Sequence, residues 1–393
     1  MKKSSLAVAV MCVFTNTVHA QSSVTLYGLI DDGLTYTSNS QVAPGVGKPS
    51  FQLASGAMQG SRFGLRGVED LGGGLKTIFV LENGFDTNTG KLGQGGLEFG
   101  RQAYIGVSSS QLGTLALGRQ YDPMTDYMGV LAASGQWATY LGEHPGDLDN
   151  FNYSGRSNNS LKYISPDFSG LTFRAMYSLG GVAGNVTRNQ EIAFGAGYTK
   201  GPLSLGAGYL NVRDPNVSFW GSSTSGTPSA TVANNTSPVF SGYLSAHTYQ
   251  VLGVGGAYTI GPATIGGTFS NIQFKGLGDL SSGPNPEGYS GSAIFNNAEI
   301  NFRYQFTPAL LAGAAYDYNH GSSVGKNPGA TYHQGSLGLD YFLSKRTDLY
   351  LIGVYQKASG TDSTGGAAHA NIGLLASSND HQAALRIGIR HKF

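Results

Sequence analysis

The sequence predicts an all-β protein, a 16-stranded antiparallel transmembrane β-barrel whose long third loop folds into the lumen. Three observations lead to this prediction. Short segments along the whole chain alternate apolar and polar residues with a period of two rather than 3.6. Short and long connections between these segments also alternate. Beyond residue 20 there is no run of 18 apolar residues, so any crossing of a membrane would be made by strands.

Residues 1–20 have the features of a cleaved secretory signal peptide, which leaves 21–393 as the barrel domain. Lys2 and Lys3 form a basic start, an apolar run reaches Phe14, and small residues precede Gln21. The apolar run is too short to anchor the chain in a bilayer. Cys12 is the only cysteine, so we expect an exported protein that is stabilised by its architecture and not by disulfides.

The composition fits a protein made of many closely packed strands. The chain of 393 residues contains 60 Gly, 22 Tyr and 19 Phe, and only 12% of its residues are charged. The glycines are scattered through apolar segments instead of forming low-complexity tracts. A formal net charge of +1 without blocks of like charge gives no reason to expect nucleic-acid binding.

The alternation is clearest between Asn297 and Phe306, where apolar and polar residues strictly take turns. A soluble sandwich would also alternate. Here, however, one face carries aromatics near the segment ends, and the other carries Arg, Glu, Gln and Gly. That distribution suits lipid outside and water inside. Sixteen segments follow this pattern: 23–36, 57–69, 74–86, 98–108, 113–121, 157–166, 170–180, 189–199, 202–213, 245–259, 262–275, 296–306, 309–320, 332–343, 348–357 and 380–393.

The connections between these segments predict how the barrel sits in the membrane. Long connections are expected at 37–56, 87–97, 122–156, 181–188, 214–244, 276–295, 321–331 and 358–379. Those between them are tight turns rich in Gly and Pro. Long connections on one side and short turns on the other are typical of outer-membrane barrels, whose periplasmic turns are short. Both chain ends would then lie on the periplasmic side.

The stretch 121–156 differs from the rest because it does not alternate. It contains Trp137 and five carboxylates. Its aromatics and its short run of Leu, Ala and Met argue against disorder, and a connection of this length is usually functional. We expect it to fold inside the barrel as a constriction loop.

Several motifs, in order and across the whole chain beyond residue 20, resemble the general diffusion porins of Gram-negative bacteria, specifically the betaproteobacterial type. The motifs are Ser-Val-Thr-Leu-Tyr-Gly from Ser23, Ser-Arg-Phe-Gly-Leu-Arg-Gly-Val-Glu-Asp-Leu from Ser61, Phe-Gly-Arg-Gln-Ala-Tyr-Ile-Gly from Phe99, Leu-Gly-Arg-Gln-Tyr-Asp-Pro from Leu117, and the C-terminal Leu-Arg-Ile-Gly-Ile-Arg-His-Lys-Phe. The resemblance implies a homotrimer of barrels in the outer membrane that lets ions and small hydrophilic solutes diffuse through a water-filled channel.

The resemblance also suggests site residues. Arg62, Arg101 and Arg156 correspond to the basic wall of the family's pore constriction, and arginine stays charged in a confined pore. Arg66, Arg119 and Arg174 are further candidates on polar faces. The opposing loop face would carry Asp122, Asp126 and Glu143, with Asp147 and Asp149 beside them; alternatively, these carboxylates fix the loop to the wall. The loop lacks the acidic Pro-Glu-Phe-Gly-Gly motif of enterobacterial relatives, so we expect a weak to moderate preference for anions.

The terminal Phe393 resembles the signal that the outer-membrane assembly machinery reads, and it also suits anchoring at the membrane interface. Outer-membrane lipid and lipopolysaccharide are expected to surround the barrel.

Two other function classes fit the sequence less well. A barrel enzyme, such as an outer-membrane protease or phospholipase, needs a Ser/His or Asp/His site, and none is evident. A receptor or adhesin would need a plug or passenger domain, for which the first strand leaves no room. The histidines show no metal-ligand spacing, so we expect neither a cofactor nor a metal.

Overall fold

The computed structural model describes residues 22–224, 226–373 and 375–393, so the expected signal peptide lies outside the described residues. In the described part of the chain, seventeen strands form one closed antiparallel sheet. Two further strands form a small separate sheet, β17 (Asn371–Ile372) and β18 (Leu375–Ala376). The strands of the large sheet are β1 (Ser23–Ala43), β2 (Val46–Ser55), β3 (Arg62–Gly72), β4 (Leu75–Gly84), β5 (Gln102–Ser109), β6 (Gly113–Gln120), β7 (Ser157–Ile164), β8 (Leu171–Ser178), β9 (Glu191–Lys200), β10 (Leu203–Arg213), β11 (Thr248–Ile260), β12 (Ala263–Leu277), β13 (Gly291–Thr307), β14 (Leu310–Gly321), β15 (Ala330–Phe342), β16 (Thr347–Gly360) and β19 (His381–Lys392).

The barrel has sixteen strand positions because β2 and β3 lie end to end along β1. Leu29 pairs with Arg62 of β3, and Asp32 pairs with Ser55 of β2. Residues 56–61 therefore bulge out of the sheet between the two halves. On its other edge β1 pairs with β19 from Leu29 to Thr37, which closes the barrel. The prediction of a closed 16-stranded antiparallel barrel is confirmed.

The two faces of the sheet differ as the alternation predicts. Along β19, Leu385, Ile387 and Ile389 are 51%, 60% and 47% exposed, whereas the side chains between them are buried. The buried series includes Arg386 and Arg390. No helix among the described residues is long and apolar enough to cross a membrane. The exposed aliphatic face is the one that contacts lipid, and the polar face encloses the lumen.

The connections follow the predicted order except for the first one. The prediction of a long connection over 37–56 is wrong: β1 continues to Ala43, β2 starts at Val46, and only two residues join them. This hairpin was hard to recognise because its residues are mostly small and polar. It is stabilised by cross-strand pairing, in which the rings of Tyr36 and Phe51 lie 4.9 Å apart.

Arg386 joins the elements that close the barrel. Its guanidinium donates to the Ala54 carbonyl at 2.6 Å, to Thr35 Oγ1 at 2.8 Å and to Tyr350 Oη at 2.9 Å. The Asp31 carboxylate lies 3.6 Å away. This one side chain on β19 thus contacts β1, β2 and β16, and it is fully buried.

Replacing Arg386 with Gln should lower the free energy of unfolding by about 3–5 kcal/mol, because it leaves Asp31 without its buried cation. Urea titration of the reconstituted barrel, followed by tryptophan fluorescence, measures this change. Arg346→Gln is the matched control, since Arg346 is exposed in a turn and its loss should change stability by less than about 0.5 kcal/mol. Equal stability of the two variants would show that the barrel closes without the Arg386 contacts.

Candidate functional site

The segment 121–156 begins with a short helix, α1 (Pro123–Met128), that is capped by Asp122. The Asp122 carboxylate accepts hydrogen bonds from Thr125 N at 3.0 Å and from Asn150 Nδ2 at 2.8 Å. Pro123 occupies the first helical position, where its missing N–H costs nothing. Asp122 is 0% exposed, so its charge is used to start the helix and to hold the far end of the segment against it.

Apolar side chains of the segment pack against glycines of the barrel wall. A Cβ added to Gly208 would lie 2.5 Å from Met124, and one added to Gly313 would lie 2.2 Å from Trp137. Gly338 contacts the Trp137 ring in the same way. These glycines belong to β10, β14 and β15, so the segment crosses to the far wall on the enclosed face of the sheet.

Hydrogen bonds from wall side chains fix the backbone of the segment. Glu299 accepts from the Ala133 amide at 2.9 Å, and Asn301 donates to the Leu131 carbonyl at 2.8 Å. Gln334 donates to the Glu143 carbonyl at 2.8 Å. The polar face that the sequence assigned to water is thus partly used to hold this segment.

His144 lies in a buried group of carboxylates that joins the segment to β12, β13 and β14. Its Nδ1 is 2.7 Å from Asp149, and its Nε2 lies 3.4 Å from Glu299 and 3.6 Å from Asp317. Ser270 donates to Asp149 at 2.6 Å. Burial alone would lower the pKa of His144, but the carboxylates of Asp149 and Asp317 outweigh it and hold the pKa well above its usual value.

The neighbouring acids of the segment are shifted as well. Burial, helped by the charge of Asp149, raises the pKa of Asp147 to about 7. Burial and the adjacent Asp147 raise the pKa of Glu143 well above its usual value. The segment is therefore held by a protonated histidine and by carboxyl groups that are easily protonated.

A cavity of about 500 Å³ lies between this segment, the bulge at 56–61 and the opposite wall. Arg62, Arg101 and Arg156 all line it, and we refer to it as the arginine cavity. Tyr121 lies beside two of them, with the guanidinium carbons of Arg156 and Arg101 at 5.0 Å and 6.0 Å from its ring centroid. Of the described residues that line the cavity, none is Asp or Glu. The nearby Glu82 is buried and accepts from Arg101 Nε at 2.9 Å.

The structure brings the three predicted arginines together but separates them from the predicted carboxylates. Asp122 caps α1, is 0% exposed and does not line the cavity, so it fixes the loop, which is the alternative role that the sequence allowed. Asp126 instead pairs with Lys162 and, at 2.6 Å, with Arg174. Glu143 accepts from Asn152 Nδ2 at 2.5 Å, and Asn152, not Glu143, lines the cavity. Each carboxylate has a nearer donor in the loop or wall, and that donor decides its position.

Two further arginines serve other purposes. Arg119 donates to Gly100 O at 2.8 Å and to Ser222 O at 2.9 Å, which ties the connection between β10 and β11 to the wall. Arg66 is exposed and lies over the Tyr27 ring at 5.4 Å. Neither residue lines the arginine cavity.

Sequence reasoning missed part of the cavity wall. Met58 and Gln59 reach it because the bulge interrupts the β2–β3 strand, and Ala57 O accepts from the Tyr140 amide at 3.0 Å. Tyr140 and Tyr153 also line the cavity. The sequence predicted a strand over 57–69, but residues 57–61 lie in the bulge and β3 begins only at Arg62.

One further group in the described chain has the composition of a cation site. Ligand atoms of Asp214, His247 and Asp279 lie within 4.8 Å of one another. Arg188 already binds this group, at 3.0 Å from Asp214 and 3.1 Å from Asp279. The sequence separation of these residues hid the group from spacing rules. It serves here to join three long connections.

A closed barrel with an aliphatic outer face, a polar lumen and a basic cavity inside it defines a channel of the Gram-negative outer membrane. Comparison with known proteins agrees: the chain matches the Gram-negative porin family over residues 7–361 and belongs to that family. It is 29% identical to an outer membrane porin protein of Bordetella pertussis and 27% identical to outer membrane porin protein 32 of Delftia acidovorans, and both alignments cover 100% of each chain.

Solved structures show the same fold. The anion-selective porin from Comamonas acidovorans superposes with a TM-score of 0.70 at 23% identity, covering 95% of this chain and 100% of that one. OmpT, an outer membrane protein of Vibrio cholerae, superposes with a TM-score of 0.62 at 17% identity, covering 95% and 98% of the two chains.

Raising the pH should loosen the segment 121–156. The stability that neutral Asp147 contributes is lost as the pH rises from 3.8, its ordinary pKa, through about 7, and that of protonated His144 is lost as the pH rises from 6.5 through its raised pKa. Hydrogen-exchange protection factors of this segment, corrected for intrinsic rates, should therefore fall between about pH 6 and pH 9.

His144→Gln should lower the same protection factors roughly a hundredfold already at neutral pH, because it leaves buried carboxylates without their cation. His391→Gln is the control, since His391 is exposed near the C-terminal end of β19 and lies outside the segment 121–156. Protection that stays constant with pH in the unmodified protein would contradict the anchoring role of His144.

Proposed function

We propose that this porin forms a water-filled channel for passive diffusion of ions and small hydrophilic solutes, with a weak to moderate preference for anions. We further propose that 121–156 is the constriction loop. The observation that carries the preference is the cavity lined by Arg62, Arg101 and Arg156 and, among its described lining residues, by no carboxylate. Its acidic neighbour Glu82 offsets part of one guanidinium charge.

The placement of the loop carboxylates supports the same sign. Asp122 caps a helix, Asp126 is paired with two cations, and Asp149 faces His144. Carboxylates held in this way present little free charge to a passing ion. Three guanidiniums that line one cavity act on an ion inside it over distances comparable to the Debye length of roughly 8 Å at physiological salt. The Comamonas acidovorans relative is called anion-selective, which agrees with this proposal.

Passive diffusion needs no cofactor and no catalytic group, and we propose that the protein is not an enzyme. We also propose that it is exported with a cleaved signal peptide at 1–20 and assembles as a homotrimer surrounded by outer-membrane lipid and lipopolysaccharide. Its insertion by the outer-membrane assembly machinery would use Phe393 as the signal. The family membership of the chain supports each of these points.

Neutralising the three cavity arginines together, as Arg62→Gln, Arg101→Gln and Arg156→Gln, should shift the reversal potential in a salt gradient toward cations. Planar-bilayer recordings of the purified protein measure this shift. Arg66→Gln is the matched control: Arg66 lies four residues further along β3, roughly 13 Å away, beyond the Debye length. If the triple variant keeps wild-type selectivity while Arg66→Gln changes it, the filter lies elsewhere in the lumen.

Deleting Phe393 should lower the amount of assembled barrel much more than it changes single-channel conductance. The Phe393 backbone exchanges hydrogen bonds with Gly28 at 3.0 Å and 3.2 Å, so it completes the pairing of the closing strands. Heat-modifiable mobility of outer-membrane fractions measures assembly. Phe393→Trp keeps an aromatic end and should assemble normally; normal assembly of the deletion would rule out the signal.

A further inference from the structure

Three side chains that carry nitrogen donors form a straight row on the outside of the barrel. His333 of β15 pairs directly with Lys357 of β16, which pairs directly with His381 of β19. All three are exposed. We refer to His333, Lys357 and His381 as the donor row. It lies at the end of the barrel where the long connections emerge, opposite the chain ends, and hence at the outer leaflet.

The contacts of the row leave donors free for a ligand. His333 Nδ1 is 2.6 Å from Tyr316 Oη, which fixes the ring and leaves Nε2 unused. In the described part of the chain, Lys357 makes no ion pair within 4 Å. The exposed Asp380 carboxylate accepts a hydrogen bond from His381 Nδ1 at 2.9 Å, so the free donors of the row are Lys357 Nζ and His333 Nε2. Lysine and imidazole N–H groups are suited to donate to phosphate oxygens.

An apolar groove of about 820 Å³ starts directly beside the row. Outward-facing residues recur every second position, so His333 is followed by Gly335 and Leu337, and His381 by Ala383 and Leu385. Lys357 is preceded in the same way by Tyr355 and Gly353. We define the outer groove by these six residues, all of which line it.

Two glycines make the groove. A Cβ added to Gly335 would meet nothing within 4 Å, and one added to Gly353 would meet only Leu385 Cδ1 at 3.8 Å. Elsewhere on this face large aliphatic and aromatic side chains project toward lipid. The missing side chains leave the outer groove open next to donors that suit an anionic headgroup. The groove faces the hydrocarbon layer, where an apolar acyl chain is the favourable occupant.

We propose that the donor row and the outer groove together bind a phosphate-bearing lipid of the outer leaflet, with its phosphate on the row and an acyl chain in the groove. The charge at the leaflet surface and the apolar channel below it match the two halves of such a lipid. This proposal rests on the outer-membrane location of the barrel and is independent of its ion selectivity.

The test uses the assembled full-length protein, delipidated in detergent and then incubated with lipid A carrying both phosphates or with the same lipid without phosphates. Native mass spectrometry measures how much lipid stays bound. In the row variant, His333→Gln, Lys357→Gln and His381→Gln are combined. In the groove variant, Gly335→Leu and Gly353→Leu are combined. Lys200→Gln is the control, because Lys200 is exposed at the short-turn end of β9.

The row variant should retain at least about fivefold less phosphorylated lipid A, since one surface lysine such as Lys357 contributes about that factor toward an anionic lipid. Its retention of the dephosphorylated lipid should not change. The groove variant should retain less of both lipids, and the control should match wild type.

Equal retention of phosphorylated lipid by wild type and row variant would overturn the proposal. So would a groove variant that keeps its lipid but changes oligomeric state, because a second copy would then cover this face. If the groove variant does not assemble, the retention of phosphorylated lipid A by the row variant tests the proposal by itself.

Discussion

The structure depends on one constraint: in the hydrocarbon layer every backbone amide and carbonyl must find a partner within the protein. An antiparallel sheet meets this only by joining its first strand to its last, as β1 and β19 do. Closure creates an inside, and the inside of a barrel this size is too wide for wall side chains to fill. The polar face, the buried Arg386 node and the segment 121–156 are all consequences of that enclosed space.

The segment fills the lumen only in part, and its anchoring explains how it stays there. Trp137 and Met124 occupy the space above wall glycines, while His144 neutralises carboxylates from both the segment and the wall. Apolar packing holds the segment against the wall, and the buried His144 group links it to side chains of β12, β13 and β14. Met124 packs on β10 and Trp137 on β14 and β15, whereas the three cavity arginines lie at the start of β3 and directly before β5 and β7.

Acidic and basic side chains of the lumen therefore differ in how far their charges are compensated. Most acids of the segment are used up in caps and ion pairs, whereas Arg62 and Arg156 have no carboxylate within 4 Å among the described residues. A nearly neutral chain can in this way present a basic cavity to a solute. Net charge says little about such a channel, because buried and paired groups contribute little to the field at its narrowest point.

The sequence by itself determined the barrel, the sixteen strand positions, the two faces and the segment that departs from them, because strand periodicity and turn residues are local properties. Only the tertiary structure decided that 37–56 is a hairpin, since weakly patterned polar strands are defined by their partners and not by their own residues. It also decided which carboxylates remain free. Asp122 and Asp126 look alike in sequence, but one caps α1 and the other pairs with Lys162 and Arg174 on the adjacent barrel wall. Charge pairing depends on which segments distant in sequence are in contact, and the closed sheet determines those contacts.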